Sequence, residues 1–256
     1  MTLQLVNPPP LVVKFNQVTY IVHSVFQPIY DLEGRLLAVE LLSRFYQQNN
    51  IQQILQPAHF FRHAHTATKR RVTAHQLAIL HGCLPWLAEH HIVASINIDR
   101  MQAQDILSNP PAYRLLKILA PWVRLEINEC FLLLGGKVSD DPLLMALSQC
   151  SPLWLDDFGS GGANFSMLFS GLFEVVKLDH DIFDVFMAGE SGRIFMPALL
   201  NLIQEHCFGL IIEGVATTEV QRQVQHWPVL GLQGFLWPTL SLDELDELRQ
   251  PHPKLL

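Results

Sequence analysis

The chain has 256 residues, of which 16% are charged and 49% hydrophobic, with a formal charge of −7. So few charges and so much apolar content exclude a disordered chain and point to a large buried core. The acidic balance offers no field to hold a nucleic-acid backbone, which excludes sequence-independent DNA or RNA binding.

The N-terminus, Met1 to Lys14, has no basic start followed by an apolar stretch, so no signal peptide is expected. The apolar runs are far shorter than the ~20 residues that span a bilayer. Cys83, Cys130, Cys150 and Cys207 lie far apart, as reduced thiols do, and suggest neither a disulfide framework nor a zinc site. A cytosolic protein is expected. Residues 1–20 read as a leader with a Pro8–Pro10 tract, residues 21–248 as one domain and residues 249–256 as a tail.

In chain order, apolar or β-branched runs recur at Ile21–Ile29, Leu36–Leu42, Ile92–Ile98, Trp122–Ile127, Leu153–Leu155, Phe173–Leu178, Phe208–Ile212 and Val229–Leu232. Gln47–Gln56 is polar and reads as a loop or a helix start. Helical spacing marks Ala58–Leu80, Leu143–Leu147, Ile194–Ile203 and Thr217–Val224, with Thr217 and Ser241 as N-caps. Strand and helix in alternation predict an α/β fold with a largely parallel sheet. Eight strands in a chain of this length fit a TIM-like barrel, with an open doubly wound sheet as the alternative.

Polar residues punctuate these runs. Glu40 interrupts one. Asn97, Glu126, Asp156 with Asp157, Lys177, Glu213 and Gln233 each stand at or near the end of another. In a barrel those ends share one rim, the rim that carries active sites. Carboxylates gathered there repel one another unless cations sit between them. Hard divalent cations, Mg²⁺ or Mn²⁺, take oxygen ligands of this kind, and two of them suit in-line attack on phosphorus. The pattern suggests phosphoryl transfer or hydrolysis.

At these residues the chain resembles the EAL-domain family of cyclic di-GMP phosphodiesterases. Phe26-Gln27-Pro28-Ile29 looks like the family's opening strand, and Glu40-Leu41-Leu42-Ser43-Arg44 occupies the naming motif. Asn97-Ile98-Asp99, Leu125-Glu126-Ile127-Asn128-Glu129, Asp156-Asp157-Phe158-Gly159, Lys177-Leu178-Asp179, Glu213-Gly214-Val215 and Gln233-Gly234 match the later motifs in order. The resemblance implies a TIM-like (β/α)8 barrel with a reversed first strand, hydrolysis of cyclic di-GMP to linear pGpG, and two Mg²⁺ or Mn²⁺ ions.

It further implies that Glu40, Asn97, Glu126 and Asp156 bind one cation, and that Asp156 and Asp157 reach the second with Glu213 nearby. Lys177 would position the attacking water or stabilise developing charge, and Gln233 would orient the water or a ligand. Arg44 would hold a phosphate oxygen, Gln27 would contact substrate, and Glu129 would anchor the loop after the aspartate pair. A homodimer is expected on the same ground.

The sequence departs from the family at Leu41, where the motif has a small Ala, at Ser160–Asn164, where an aromatic is lost, and at Ala216, where a second Glu is usual. The alternative function is a catalytically silent relative that binds a regulatory protein or cyclic di-GMP and controls motility or adhesion.

Overall fold

The computed structural model describes residues 8–132, 137–160 and 165–249. The leader's first seven residues, the tail from residue 250 and most of the altered loop, residues 161–164, lie outside them.

Ten strands form one sheet. They are β1 (Leu11–Phe15), β2 (Val18–Tyr30), β3 (Leu36–Gln47), β4 (Asn50–Leu55), β5 (Val93–Asn97), β6 (Val123–Asn128), β7 (Leu153–Phe158), β8 (Phe173–Leu178), β9 (Gly209–Ile212) and β10 (Gly231–Gln233). From β3 through β5 to β10 each neighbour runs parallel. The second strand closes the ring, antiparallel to both β3 and β10. The result is the eight-stranded TIM-like barrel with one reversed strand that the sequence predicts.

All eight sequence-predicted strands form, and β1 and β4 are additional. The long hairpin β2–β3 outgrows the barrel, and β1 and β4 pair with its projecting ends. Gln47–Gln56 is therefore largely strand rather than loop or helix. Its residues are mostly exposed and its isoleucines Ile51 and Ile54 stand apart, so it shows no apolar run, and pairing with Phe45–Gln47 fixes it as an edge. Likewise Leu11–Phe15, inside the expected leader, is a strand whose Val13 and Phe15 are buried.

This extension has its own core. Phe45 stacks on Phe60 at 4.2 Å between ring centroids, and Val13, Phe15, Val22 and Val72 surround them. Phe60 belongs to α1 (Pro57–His63) and Val72 to α2 (Thr66–His90), so the cluster ties two helices to the hairpin that carries Glu40 and Arg44.

The remaining helices are α3 (Arg100–Ser108), α4 (Pro110–Leu119), α5 (Pro142–Ser148), α6 (Phe165–Leu168), α7 (His180–Ala188), α8 (Glu190–His206) and α9 (Thr218–Val224). Several start on an aspartate or threonine just past a strand. Asp99, Asp141, Asp179 and Thr217 each accept hydrogen bonds from the first-turn amides, satisfying donors that a helix N-terminus otherwise leaves unpaired.

The barrel interior is layered by strand alternation. Residues two apart on a strand face the same side. Ala38, Trp154, Val175 and Ile211 join Ile29 in a separate buried apolar cluster. Two residues further along their strands stand Glu40, Asp156, Lys177 and Glu213. The apolar cluster is the plug on which the polar layer rests. Beneath it Trp154 Nε1 donates to Glu174, which also pairs with Arg124 at 2.6 Å.

Truncating Phe45 to Ala empties the centre of the extension core. A cost of about 3–5 kcal/mol is expected, as for other buried Phe→Ala changes. Urea denaturation of the variant should show it, and a change under 1 kcal/mol would mean that the extension contributes little to the fold.

Candidate functional site

Lys177 sits at the centre of the polar layer, 1% exposed. Its Nζ lies 2.9 Å from Glu213 Oε1, 3.0 Å from Glu126 Oε2, 3.0 Å from Asp156 Oδ1 and 3.3 Å from Glu40 Oε2. Five strands thus deliver their side chains to one point. Glu40 is fixed further by two amides: Asn97 Nδ2 donates to Oε1 at 2.6 Å and Gln233 Nε2 to Oε2 at 2.6 Å.

Asp157 needs a separate device. In a regular strand it would face away from Asp156. Here the ladder between β7 and β8 slips between Leu155 and Phe158, and Asp157 adopts a left-handed backbone with φ 52°. The bulge turns both aspartates to the same mouth, where carboxylate oxygens of Asp156, Asp157 and Glu213 come within 4.8 Å of one another. Gly159 completes the turn at φ +103°, and a Cβ there would come 2.8 Å from Ile182.

The other sequence-derived residues fall around this cluster. Gln27 pairs with Glu40 across the hairpin, and its amide nitrogen donates to the carbonyls of Gly234 (3.2 Å) and Trp237 (2.9 Å), bracing the loop after β10. A Cβ on Gly234 would collide with the backbone of Val215 at 2.3 Å, so that loop closes only on glycine. The Arg44 side chain makes no hydrogen bond or ion pair to another described residue, and Arg44 lines a cavity of about 270 Å³ beside Asn97 and Glu126. Glu129 opens a 3-10 turn, Glu129–Phe131, half-buried, and the segment it would anchor lies outside the described residues. Leu41 points into the main core, as packing rather than chemistry.

Sequence reasoning missed the cavity's far wall. Ser43, Gln76, Asp99, Gln102 and Asn128 also line it. Asn128 was within reach, since it ends β6 two residues after Glu126. Gln76 and Gln102 lie on helices, and no local pattern marks them.

Electrostatically the cluster is overloaded. Five carboxylates, Glu40, Glu126, Asp156, Asp157 and Glu213, surround one ammonium. Burial pushes the Glu126 carboxyl well up, and the Glu40 charge adds to it. Burial also raises Asp156. Burial, with Asp156 beside it, raises Asp157 to about 6. For Glu213 burial outweighs the pull of Lys177 and gives about 8. On Glu40 burial acts upward, but Lys177 and the hydrogen bond from Gln233 leave it below the usual carboxylate range. Lys177 loses from burial and gains more from Asp156 and Glu126, so it stays charged.

Such a set fits divalent cations. It offers hard oxygen donors, it holds more negative charge than Lys177 balances, and Gln233 Oε1 is buried without a hydrogen-bond partner. Asp156, Asp157 and Glu213 form a group that could hold an ion.

Glu213 gives a pH test without metal. Its raised value favours the protonated form in the fold, so its stabilising contribution is complete below pH 4.5 and is lost as pH rises through about 8. The melting temperature of metal-free protein should fall from pH 6 to pH 9, and fall less in Glu213→Gln. Calorimetry showing the same slope in both proteins would refute the assignment.

An EAL domain family model matches residues 21–239. The cyclic di-GMP phosphodiesterase PdeH of Escherichia coli K12 is 34% identical over 210 residues, 82% of this chain and 80% of PdeH. The putative anti-FlhC(2)FlhD(4) factor YdiV of the same strain is 29% identical, covering 88% of this chain and 94% of YdiV. The crystal structure of the EAL-like protein YdiV superposes with a TM-score of 0.81 at 26% identity, over 90% of this chain and 97% of that one. With a family model spanning most of its length and a relative above 30% identity, this chain belongs to the EAL domain family.

Proposed function

We propose that the chain hydrolyses one phosphodiester bond of cyclic di-GMP to give linear pGpG, with two Mg²⁺ or Mn²⁺ ions. The observation that carries this reading is the surplus of oriented carboxylates around Lys177 at the barrel mouth, beside an unpaired Arg44. The likeness to PdeH supports the same substrate.

In this reading Glu40, Asn97, Glu126 and Asp156 hold one ion, and Asp156 and Asp157 reach the other with Glu213 beside them. Held there, the ions would neutralise the carboxylates, polarise the phosphate and make water more acidic. Arg44 grips a phosphate oxygen through its planar fork. Water adds to phosphorus as the bond to the 3′ oxygen breaks, a carboxylate of the cluster takes the water's proton, and that proton passes on, directly or through solvent, to the leaving 3′ oxygen. Lys177 offsets the charge that builds on the phosphate and keeps the acids in register. Gln233 and Asn97 fix the Glu40 oxygens. A second copy of the chain and a cytoplasmic setting belong to the same proposal. Among the described residues no helix is long and apolar enough to cross a membrane.

The second reading is a binding protein that acts on a regulator, and the structural likeness to YdiV favours it. The two separate in one assay. Purified protein with Mg²⁺ or Mn²⁺ and cyclic di-GMP should yield pGpG by chromatography. Glu40→Ala and Asp156→Ala should each lose about a thousandfold or more in rate, several kcal/mol of barrier, while circular dichroism is unchanged. Ca²⁺, which prefers more ligands at longer distance, should support cyclic di-GMP binding without turnover. Full turnover in either variant, or in Ca²⁺, would reject the proposed site, and a wild type that never cleaves would favour the regulator reading.

A further inference from the structure

The cavity beside Arg44 contains a buried amide whose oxygen has nothing to bind. Gln76, on α2, is 4% exposed. Its Nε2 donates to Ser43 Oγ at 3.2 Å, and its Oε1 has no hydrogen-bond partner among the described residues. Leaving an acceptor buried and unpaired costs ~1–3 kcal/mol, so such an atom calls for an explanation.

The two polar side chains beside it, Gln102 and Thr73, are already satisfied. Gln102 Nε2 donates to Thr73 Oγ1 at 2.8 Å, and its Oε1 accepts from the Asp99 amide at 2.8 Å. Thr73 Oγ1 in turn donates to the Lys69 carbonyl at 3.1 Å. This chain of bonds fixes the wall against which Gln76 stands and leaves two open acceptors on the lining: Gln76 Oε1, and Glu126 Oε1 at the end that belongs to the carboxylate cluster. The cavity, about 270 Å³, lies just below the ~300–1,000 Å³ of drug-sized pockets. It has room for one base and its attachment rather than a whole cyclic dinucleotide. Phe61 and Leu42 supply apolar wall, and Arg44, Asn97 and Glu126 join it to the carboxylate cluster.

We propose that Gln76 is a specificity-determining residue: with its nitrogen held by Ser43, its Oε1 accepts hydrogen bonds from the N1–H and 2-amino edge of a guanine lodged in this cavity. This rests on the cyclic dinucleotide reading above and assigns the base recognition that reading lacks. Guanine presents two adjacent donors at that edge. Hypoxanthine presents one, and adenine presents an acceptor at N1. A site that hydrogen-bonds a substrate group discriminates against the analogue lacking it, because its own buried partner is then left unpaired.

The test compares cyclic di-GMP with cyclic di-IMP, which lacks only the 2-amino groups. The wild type should prefer the guanine compound by about tenfold in kcat/KM, the worth of one hydrogen bond of ~1.4 kcal/mol. Gln76→Met keeps the volume and removes the acceptor. It should raise KM for cyclic di-GMP about tenfold with kcat within about twofold, and bring the preference close to one. Ser43→Ala, which frees the amide to rotate, should also lower the preference. The ratio is measured within one protein, so a misfolded fraction cancels, and Ser43→Ala decides if Gln76→Met does not fold. Cleavage by Gln76→Met with the guanine preference intact overturns the proposal and leaves the hydrolase reading standing. If the wild type cleaves neither compound, calorimetric binding of both in Ca²⁺ decides by the same ratio. A Gln76-dependent preference in binding then upholds the proposal while the hydrolase reading falls, and absence of binding overturns both.

Discussion

One ammonium organises the mouth of the barrel. Lys177 is buried and lies within 3.3 Å of carboxylates from four other strands or strand ends. A buried charge is tolerable only when it is paired and hydrogen-bonded. Each acid in turn has Lys177 as its one cationic neighbour in the cluster, so the five groups are mutually dependent. That dependence reaches into the barrel, because their positions are set by the apolar layer one alternation below them. Ala38, Trp154, Val175 and Ile211 fill the interior, and the residues two further along each strand have only the mouth to face.

The site also needs irregularity at defined points. Regular strands deliver one side chain each to the mouth. The bulge at Asp157 delivers a second from β7, with the left-handed backbone there and at Gly159 as its cost. The reversed β2 contributes differently. Because it runs against β3 and β10, Gln27 meets both Glu40 and the loop after Gln233, and locks the barrel seam beside the cluster.

Much of this was legible in the sequence, and for a physical reason. Barrel strands buried on both faces read as apolar runs, and a polar residue breaking such a run stands out. The period of two then places Glu40, Asp156 and Lys177 in one layer. Strand β4 was not legible because exposed edge pairing leaves no apolar run, and the short run Leu11–Val13 of β1, next to a proline tract, reads as part of a leader. Asp99 and Asp179 follow strands as the site residues do, yet each caps a helix, which only the hydrogen bonds reveal. Gln76 was illegible altogether. Its meaning depends on Ser43, which faces it from a different element.

The energetics of the acid cluster bear on which function the chain performs. Burying five carboxylates around one amine is unfavourable, as the raised values of Glu126, Asp156, Asp157 and Glu213 register, with burial the leading cause in each. Apolar residues of similar size would fill the same space at no such cost, and replacing buried ionic groups in that way is often neutral or stabilising. A barrel serving only as a platform for a protein partner would present its outer surface and have no physical use for an overcharged mouth. A barrel that brings two cations to a phosphate has a use for those acids, because bound cations take the place of the protons that burial holds on them. The interior of this chain is therefore built at a cost that cations bound at the mouth would offset, whatever its outer surface contacts.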